Sequence, residues 1–236
     1  DYMLENFYTF REKYNAIIIS LLLCLSFQIC FCQGNLDLNQ QKVEKLKEKY
    51  KALSDIKEIR RILTIISQDE TNPEEKLIYS ELLIKSTEYE SKKELITKDS
   101  LLYFRSTGFL QKGNALQLLG EFHEAIEAYF KCIEIAENDV NNSLAGSTIV
   151  SIADTYSMIG NSESAEKYYV RAIELLRKDK DTVNLATALM NAGDEYYKTE
   201  QYDKALRHFA ESGEIFEKLD YEIGKAYNMG NTGMVY

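Results

Sequence analysis

Three polar side chains stand one step of 40 residues apart: Asn114, Asp154 and Asp194. Around them, at three- and four-residue spacings, lie Thr107, Leu110 and Gln117, then Ser147, Val150 and Ser157, then Thr187, Met190 and Tyr197, and finally Tyr227, Gly230 and Met234. On helices, such spacings place each set on one face. Amides and carboxylates repeated along that face are suited to holding a peptide backbone or a basic side chain. A plain solvated helix face is the competing reading.

Other chemistry finds little support. His123 and His208 have no His or Cys at ligand spacing, so no zinc site is expected. There is no glycine-rich phosphate loop and no G-x-S-x-G turn. Acidic residues sit at helix-surface positions beside basic ones, as Glu166 beside Lys167, which reads as a solvated face. No catalytic residue, cofactor or metal is expected within these residues. A net charge of −10 disfavours nucleic acid as a direct partner.

The step of 40 also organises the packing positions. Gly113, Ala153, Gly193 and Gly233 share one register, as do Leu116, Tyr156, Tyr196 and Tyr236. Ala125, Ala165 and Ala205 form a third row; Tyr129, Tyr169 and Phe209 a fourth; Cys132, Ala172 and Ser212 a fifth. Small residues recur where backbones approach closely, and aromatics recur where a gap is filled, here expected to lie towards the next pair. Self-similarity at a fixed period is the mark of stacked repeats. Helix pairs are predicted over 100–119 and 122–138, 143–159 and 162–178, and 182–199 and 202–218. Another helix is predicted from about Tyr221. No window alternates with period two, so no strand is expected.

The run Gly113-x-x-Leu116-x-x-x-Gly120-Glu121-Phe122-x-x-Ala125-x-x-x-Tyr129-x-x-Cys132 resembles a tetratricopeptide repeat. Two more copies resemble it: Ala153, Tyr156, Gly160, Ala165, Tyr169 and Ala172, then Gly193, Tyr196, Tyr202, Ala205, Phe209 and Ser212. The likeness runs from about Leu101 onward. It implies an all-α fold: a right-handed solenoid of antiparallel helix pairs with a period of about 40 residues, binding a protein or peptide ligand in a groove lined by the first helix of each pair, with Asn114, Gln117, Asp154, Ser157, Met190, Asp194, Tyr197 and Tyr227 as the candidate groove residues. Departures are Phe109, Ile149, Leu189 and Met229 at the early Trp position, and Glu200 in place of the inter-helix glycine.

Before the repeats, residues 33–97 read as a capping region and a degenerate first repeat. A helix over 35–54 carries the stripe Val43, Leu46, Tyr50 and Leu53. Ser54 or Asp55 caps a second helix through about Ser67. Asn72-Pro73 starts a third, reaching about Lys92 with Leu77, Ile78, Leu82, Leu83 and Ile84 as its apolar residues.

Residues 1–32 differ in kind. Arg11 and Lys13 precede an apolar run over 16–32, which reads as a signal peptide cleaved before Gln33 or as an uncleaved anchor. Either exports the remainder to the periplasmic side of an inner membrane. Cys132 is then the one cysteine of the mature chain, a small buried thiol. Residues 98–236 form the repeat array. The fourth copy reaches only its first helix by Tyr236, so the repeat is expected to continue.

The stretch 224–236 is similar to repeats in bacterial receptors that join an extracytoplasmic tetratricopeptide array to a cytoplasmic adenylate/guanylate cyclase or a histidine kinase. That resemblance implies a sensory region. An exported assembly adaptor with no enzymatic output is the alternative, and self-association is left open.

Overall fold

The computed structural model describes residues 38–88, 97–138, 142–180 and 182–235. The signal-like segment, the end of the third predicted helix beyond residue 88, and Tyr236 lie outside them. The chain divides into two units, Asp1–Ala52 and Leu53–Tyr236. The first is described through one helix, α1 (38–51), in which Val43 is buried and Leu46 and Tyr50 are half-buried on one stripe.

In the second unit every described element is a helix: α2 (Ile56–Asp69), α3 (Pro73–Ser86), α4 (Lys98–Leu119), α5 (Phe122–Asn138), α6 (Asn142–Ile159), α7 (Ser162–Asp179), α8 (Thr182–Lys198), α9 (Tyr202–Lys218) and α10 (Glu222–Val235). No strand occurs among the described residues.

Local chemistry sets the ends. Asp55 accepts the Glu58 amide, and Asn72 accepts the Glu75 amide with Pro73 at the first helical position. Gly120 and Gly160 turn the chain between paired helices in the left-handed region, at φ 81° and 83°. Behind each, the amide of the next residue bonds back five residues, from Glu121 to Leu116 and from Asn161 to Tyr156. The third pair keeps this turn without glycine: Glu200 has φ 61°, and the Gln201 amide reaches the Tyr196 carbonyl at 2.8 Å.

Helix α3 is shorter than the sequence predicts. It stops at Ser86 because the Thr87 amide and hydroxyl both turn back onto the Ile84 carbonyl. Its buried face also differs from the predicted one: Ile78 is exposed, while Lys76, Ser80 and Leu83 are buried. Lys76 reaches across to the end of α2, donating to the carbonyls of Ser67 at 2.6 Å and Gln68 at 2.9 Å. Arg60 of α2 returns the favour to α3, donating twice to the Ser86 carbonyl. Each buried cation thus satisfies carbonyls that a helix end leaves without partners.

Within the second unit each helix packs on its neighbours in sequence, and the first helices of successive pairs also touch: α2 with α4, α4 with α6, α6 with α8, α8 with α10. The second helices α5, α7 and α9 make no such mutual approach. The first-helix side is therefore the tighter, inner side of the stack. The core runs through Ala125, Ala153, Ala165 and Ala205, all fully buried, and the rings of Tyr129, Tyr169 and Phe209. The sequence places these rings towards the next pair; Tyr129 and Phe209 also pack closely within their own pair. A Cβ added to Gly113 would lie 2.3 Å from Tyr129 Cε1, and one on Gly193 2.6 Å from Phe209 Cε1. Tyr129 and Phe209 fill the space over the glycine of their own pair, where only the missing side chain makes room, while the pair of Tyr169 has Ala153 at that register. Tyr196 is buried and Tyr156 half-buried, stacked on Tyr168.

Candidate ligand groove

On the inner side a cavity of about 380 Å3 opens between α6, α8 and α10. Asp154, Ser157 and Met158 come from α6. Helix α8 supplies Met190, Asn191, Asp194 and Lys198, and α10 supplies Tyr227 and Asn231. The Tyr169 hydroxyl enters from α7. Met158 and Tyr227 stand well exposed at the mouth.

Asp154 lies at its centre. Oδ1 accepts from the Tyr169 hydroxyl at 2.5 Å and from Asn191 Nδ2 at 3.1 Å; Oδ2 receives only a longer Asn191 contact of 3.4 Å. Burial holds the carboxyl above its ordinary range, and the charge of Asp194 adds to this. The donated bonds and the Lys198 ammonium pull the other way. The same burial and the adjacent Asp154 charge push the Tyr169 hydroxyl far up, so the shared proton stays on the tyrosine. The pair is a fixed acceptor rather than a proton-transfer couple.

Asp194 is held differently. Its partner is Lys198, one turn on along the same helix, with Nζ 2.6 Å from Oδ2. Lys198 Nζ also lies 3.4 Å from Ser157 Oγ. Ser157 donates to the buried Glu195 carboxylate at 2.5 Å.

Five of the eight groove residues named from the sequence line this cavity: Asp154, Ser157, Met190, Asp194 and Tyr227. Three do not. Asn114 accepts the Tyr129 hydroxyl at 2.9 Å within its own pair. Gln117 donates to Thr155 at 2.8 Å, tying α4 to α6. The Tyr197 ring packs at 5.9 Å on Tyr202. Of the flanking positions, Thr107 and Val150 are buried. Asn191, Lys198, Asn231 and Met158 escaped the sequence reading. A signal existed for two of them, since Gln111, Ser151, Asn191 and Asn231 form an all-polar row at the same 40-residue step.

A second hollow of about 330 Å3 lies among α3, α4 and α5, edged by Glu81, Glu121, Glu124 and Glu127. Its two lysines are engaged: Lys112 pairs with Glu81 at 2.6 Å, and Lys131 lies 5.7 Å over the Phe109 ring.

No curated protein matches the chain in sequence. Residues 105–178 match the tetratricopeptide repeat family. Solved structures share the fold at low identity. Aspartyl phosphate phosphatase F from Bacillus subtilis aligns with a TM-score of 0.74 at 16% identity, over 86% of this chain and 53% of that one. A Rap protein complexed with competence and sporulation factor aligns at 0.67 and 15%, over 82% and 53%. A signal transduction ATPase with numerous domains from Pyrococcus horikoshii, which carries a tetratricopeptide repeat sensor, aligns at 0.64 and 19%, over 89% and 32%. The chain thus spans about half the length of the first two and a third of the last. The likeness to the tetratricopeptide repeat lies over residues 105–178, and the helix pairs flanking that stretch continue the same all-α solenoid.

Proposed function

We propose that this chain is a binding scaffold for a protein or peptide, and that its ligand lies in the groove between α6, α8 and α10. The observation that carries this is the cavity itself. It is built on the inner face of three successive first helices, with polar groups along its floor and Met158 and Tyr227 exposed at its mouth. A concave site that sets fixed polar groups beside some apolar surface, here from Met158, Met190 and Tyr227, suits ligand recognition. The Rap protein of like fold is complexed with competence and sporulation factor, and the repeat of the Pyrococcus protein is a sensor, which accords with this reading.

We further read the scaffold as the extracytoplasmic sensory region of a membrane-bound adenylate/guanylate cyclase, with a histidine kinase or an exported adaptor as alternatives. Support comes from the basic-flanked apolar run over 16–32 and from the likeness of the 224–236 stretch to receptor repeats. No helix among the described residues is long and apolar enough to cross a membrane, and the 16–32 run lies outside them.

Selection of random nonapeptides displayed on phage against the chain tests the binding reading. Enriched sequences whose binding is lost in Tyr227→Ala support it; no enrichment, or enrichment indifferent to that change, overturns it. Alkaline phosphatase fused after Tyr236 tests location in a bacterial host. Phosphatase activity outside the cytoplasm supports export, and a fusion that accumulates in the cell without phosphatase activity, its disulfides unformed in the reducing cytoplasm, rejects it.

A further inference from the structure

The charge layout of the groove says what kind of side chain it takes. Two carboxylates, Asp154 and Asp194, face one cavity, and a single ammonium, Lys198, answers them. Asp154 is bound into the protein by two neutral donors, Tyr169 and Asn191, which orient it but bring no positive charge, so that Lys198 alone opposes it. Those donors leave Oδ2 with only one long contact. Desolvation makes an uncompensated carboxylate costly and any incoming cation correspondingly favourable.

Asp194 lacks the donor that its equivalents have. Tyr129 donates to Asn114 and Tyr169 to Asp154, each across fifteen residues. Fifteen residues after Asp194 stands Phe209, which has no hydroxyl. The place is taken by Lys198, whose side chain remains about half exposed at 54%. A one-turn ion pair between partly exposed groups is weak and easily exchanged. Lys198 therefore occupies, from the protein's own chain, the position a ligand cation would fill. Beside it Met158, Met190 and Tyr227 offer sulfur, methylene and ring surface along which a long cationic side chain lays its stem.

We propose that the groove receives a lysine or arginine side chain of a peptide ligand between Asp154 and Asp194, and that Lys198 is an internal placeholder which the ligand displaces. This rests on the binding reading above and names the chemistry of its ligand.

The probe is the set of phage-selected nonapeptides that depend on Tyr227, resynthesised with a fluorophore and titrated against the full chain at physiological salt. A lysine or arginine is expected at one position in nearly all of them. Replacing that residue by norleucine weakens binding about tenfold, and so does Asp194→Asn in the protein. Lys198→Met strengthens binding about threefold, because the competitor is gone. Because the chain is acidic overall, Glu174→Gln and Lys167→Met, exposed on α7, serve as charge controls and leave affinity unchanged. Circular dichroism of each variant checks folding. Tyr227-dependent peptides that lack a basic residue, or that bind Asp194→Asn as tightly as the parent, overturn this proposal while leaving the binding reading intact. Equal effects of the control and groove variants reduce it to general charge attraction and also overturn it. Absence of any Tyr227-dependent peptide overturns both.

Discussion

The Tyr169 hydroxyl donates to Asp154 Oδ1 across fifteen residues, and Tyr129 donates to Asn114 across the same separation. One contact thus recurs in two successive pairs, from the second helix back to the inner face of the first. In the third pair Phe209 keeps the ring over Gly193 but drops the hydroxyl, and Asp194 turns to Lys198. Packing and polar chemistry are separable at this position. The ring serves the core, and the hydroxyl sets the groove.

That separation makes Tyr169→Phe a clean test. The ring volume is kept, so no cavity forms, but Asp154 loses its shortest donor. A hydrogen bond to a charged, half-buried group contributes about 1.5–3 kcal/mol. Tyr129→Phe removes a bond to a neutral amide and should cost about 0.5–1.5 kcal/mol. Urea unfolding of both variants would show the larger loss for Tyr169; equal losses would mean that the Asp154 contact carries no charge-assisted strength.

Acid dependence follows from the same residue. Burial raises the Asp154 carboxyl above its ordinary value of 3.8. For an acid with a raised folded value, the contribution to stability is fully present below the unfolded value. It is lost as pH rises through the folded one. Asp154→Asn cannot ionise and does not share this loss. The stability of wild type relative to the variant should therefore fall as pH rises above about 4, over the range in which the unfolded carboxyl ionises before the folded one. A difference that stays flat across that range, in unfolding midpoints measured side by side, would contradict the shift.

Much of the fold is legible in residue spacing because the repeat writes the same contact several times. Gly120 and Gly160 mark turns that need positive φ, and Asn72-Pro73 and Asp55 mark helix starts by capping chemistry. Where an end depends on distant groups, spacing fails. Helix α3 stops at Ser86 under Thr87 and the reach of Arg60 from α2, and nothing local in the sequence announces either. The groove divides the same way. Asp154 and Asp194 stand out at the 40-residue step, but a groove between helices takes two adjacent rows of each. Asn191 and Lys198 belong to the row one residue further round, three and four positions either side of Asp194. Lys198 has no polar-row signal because its equivalents are Leu118 and Met158.

Glycine at the inner register makes room for a ring in two of the pairs, Gly113 beneath Tyr129 and Gly193 beneath Phe209. Gly193→Ala places a methyl group 2.6 Å from Phe209, and overpacking of this kind costs about 1–3 kcal/mol. The thermal melt of this variant should therefore lie below that of wild type. If Gly193→Ala melts no lower than wild type, the ring is not fixed over that position.

The Cys132 thiol should be silent in the folded protein. It is fully buried with its sulfur 3.4 Å from Thr148 Oγ1, and burial pushes its pKa up to about 11. The thiolate is the reactive form, so both access and ionisation are against modification. Peptide mapping after treatment with iodoacetamide should find Cys132 unmodified in native protein and modified in denaturant. Modification at equal rates in both would place the thiol at the surface.

Glu200 carries the last prediction. It holds the left-handed turn between α8 and α9 at φ 61°, where Gly120 and Gly160 serve the two preceding pairs. A non-glycine residue in that region carries a steric cost of roughly 1–2 kcal/mol, set against the chain entropy that glycine adds to the unfolded state, about 0.5–1 kcal/mol. The side chain is exposed, so its removal forfeits little packing. The turn itself is held by main-chain bonds from Glu200 to Tyr197 and from Gln201 to Tyr196, which glycine keeps. Glu200→Gly should therefore leave the turn intact and raise stability by up to about 1 kcal/mol. Glu200→Ala, which relieves neither the φ nor the Cβ, should not. A melting temperature that falls in the glycine variant would show that the glutamate side chain stabilises this turn by more than its backbone strain costs.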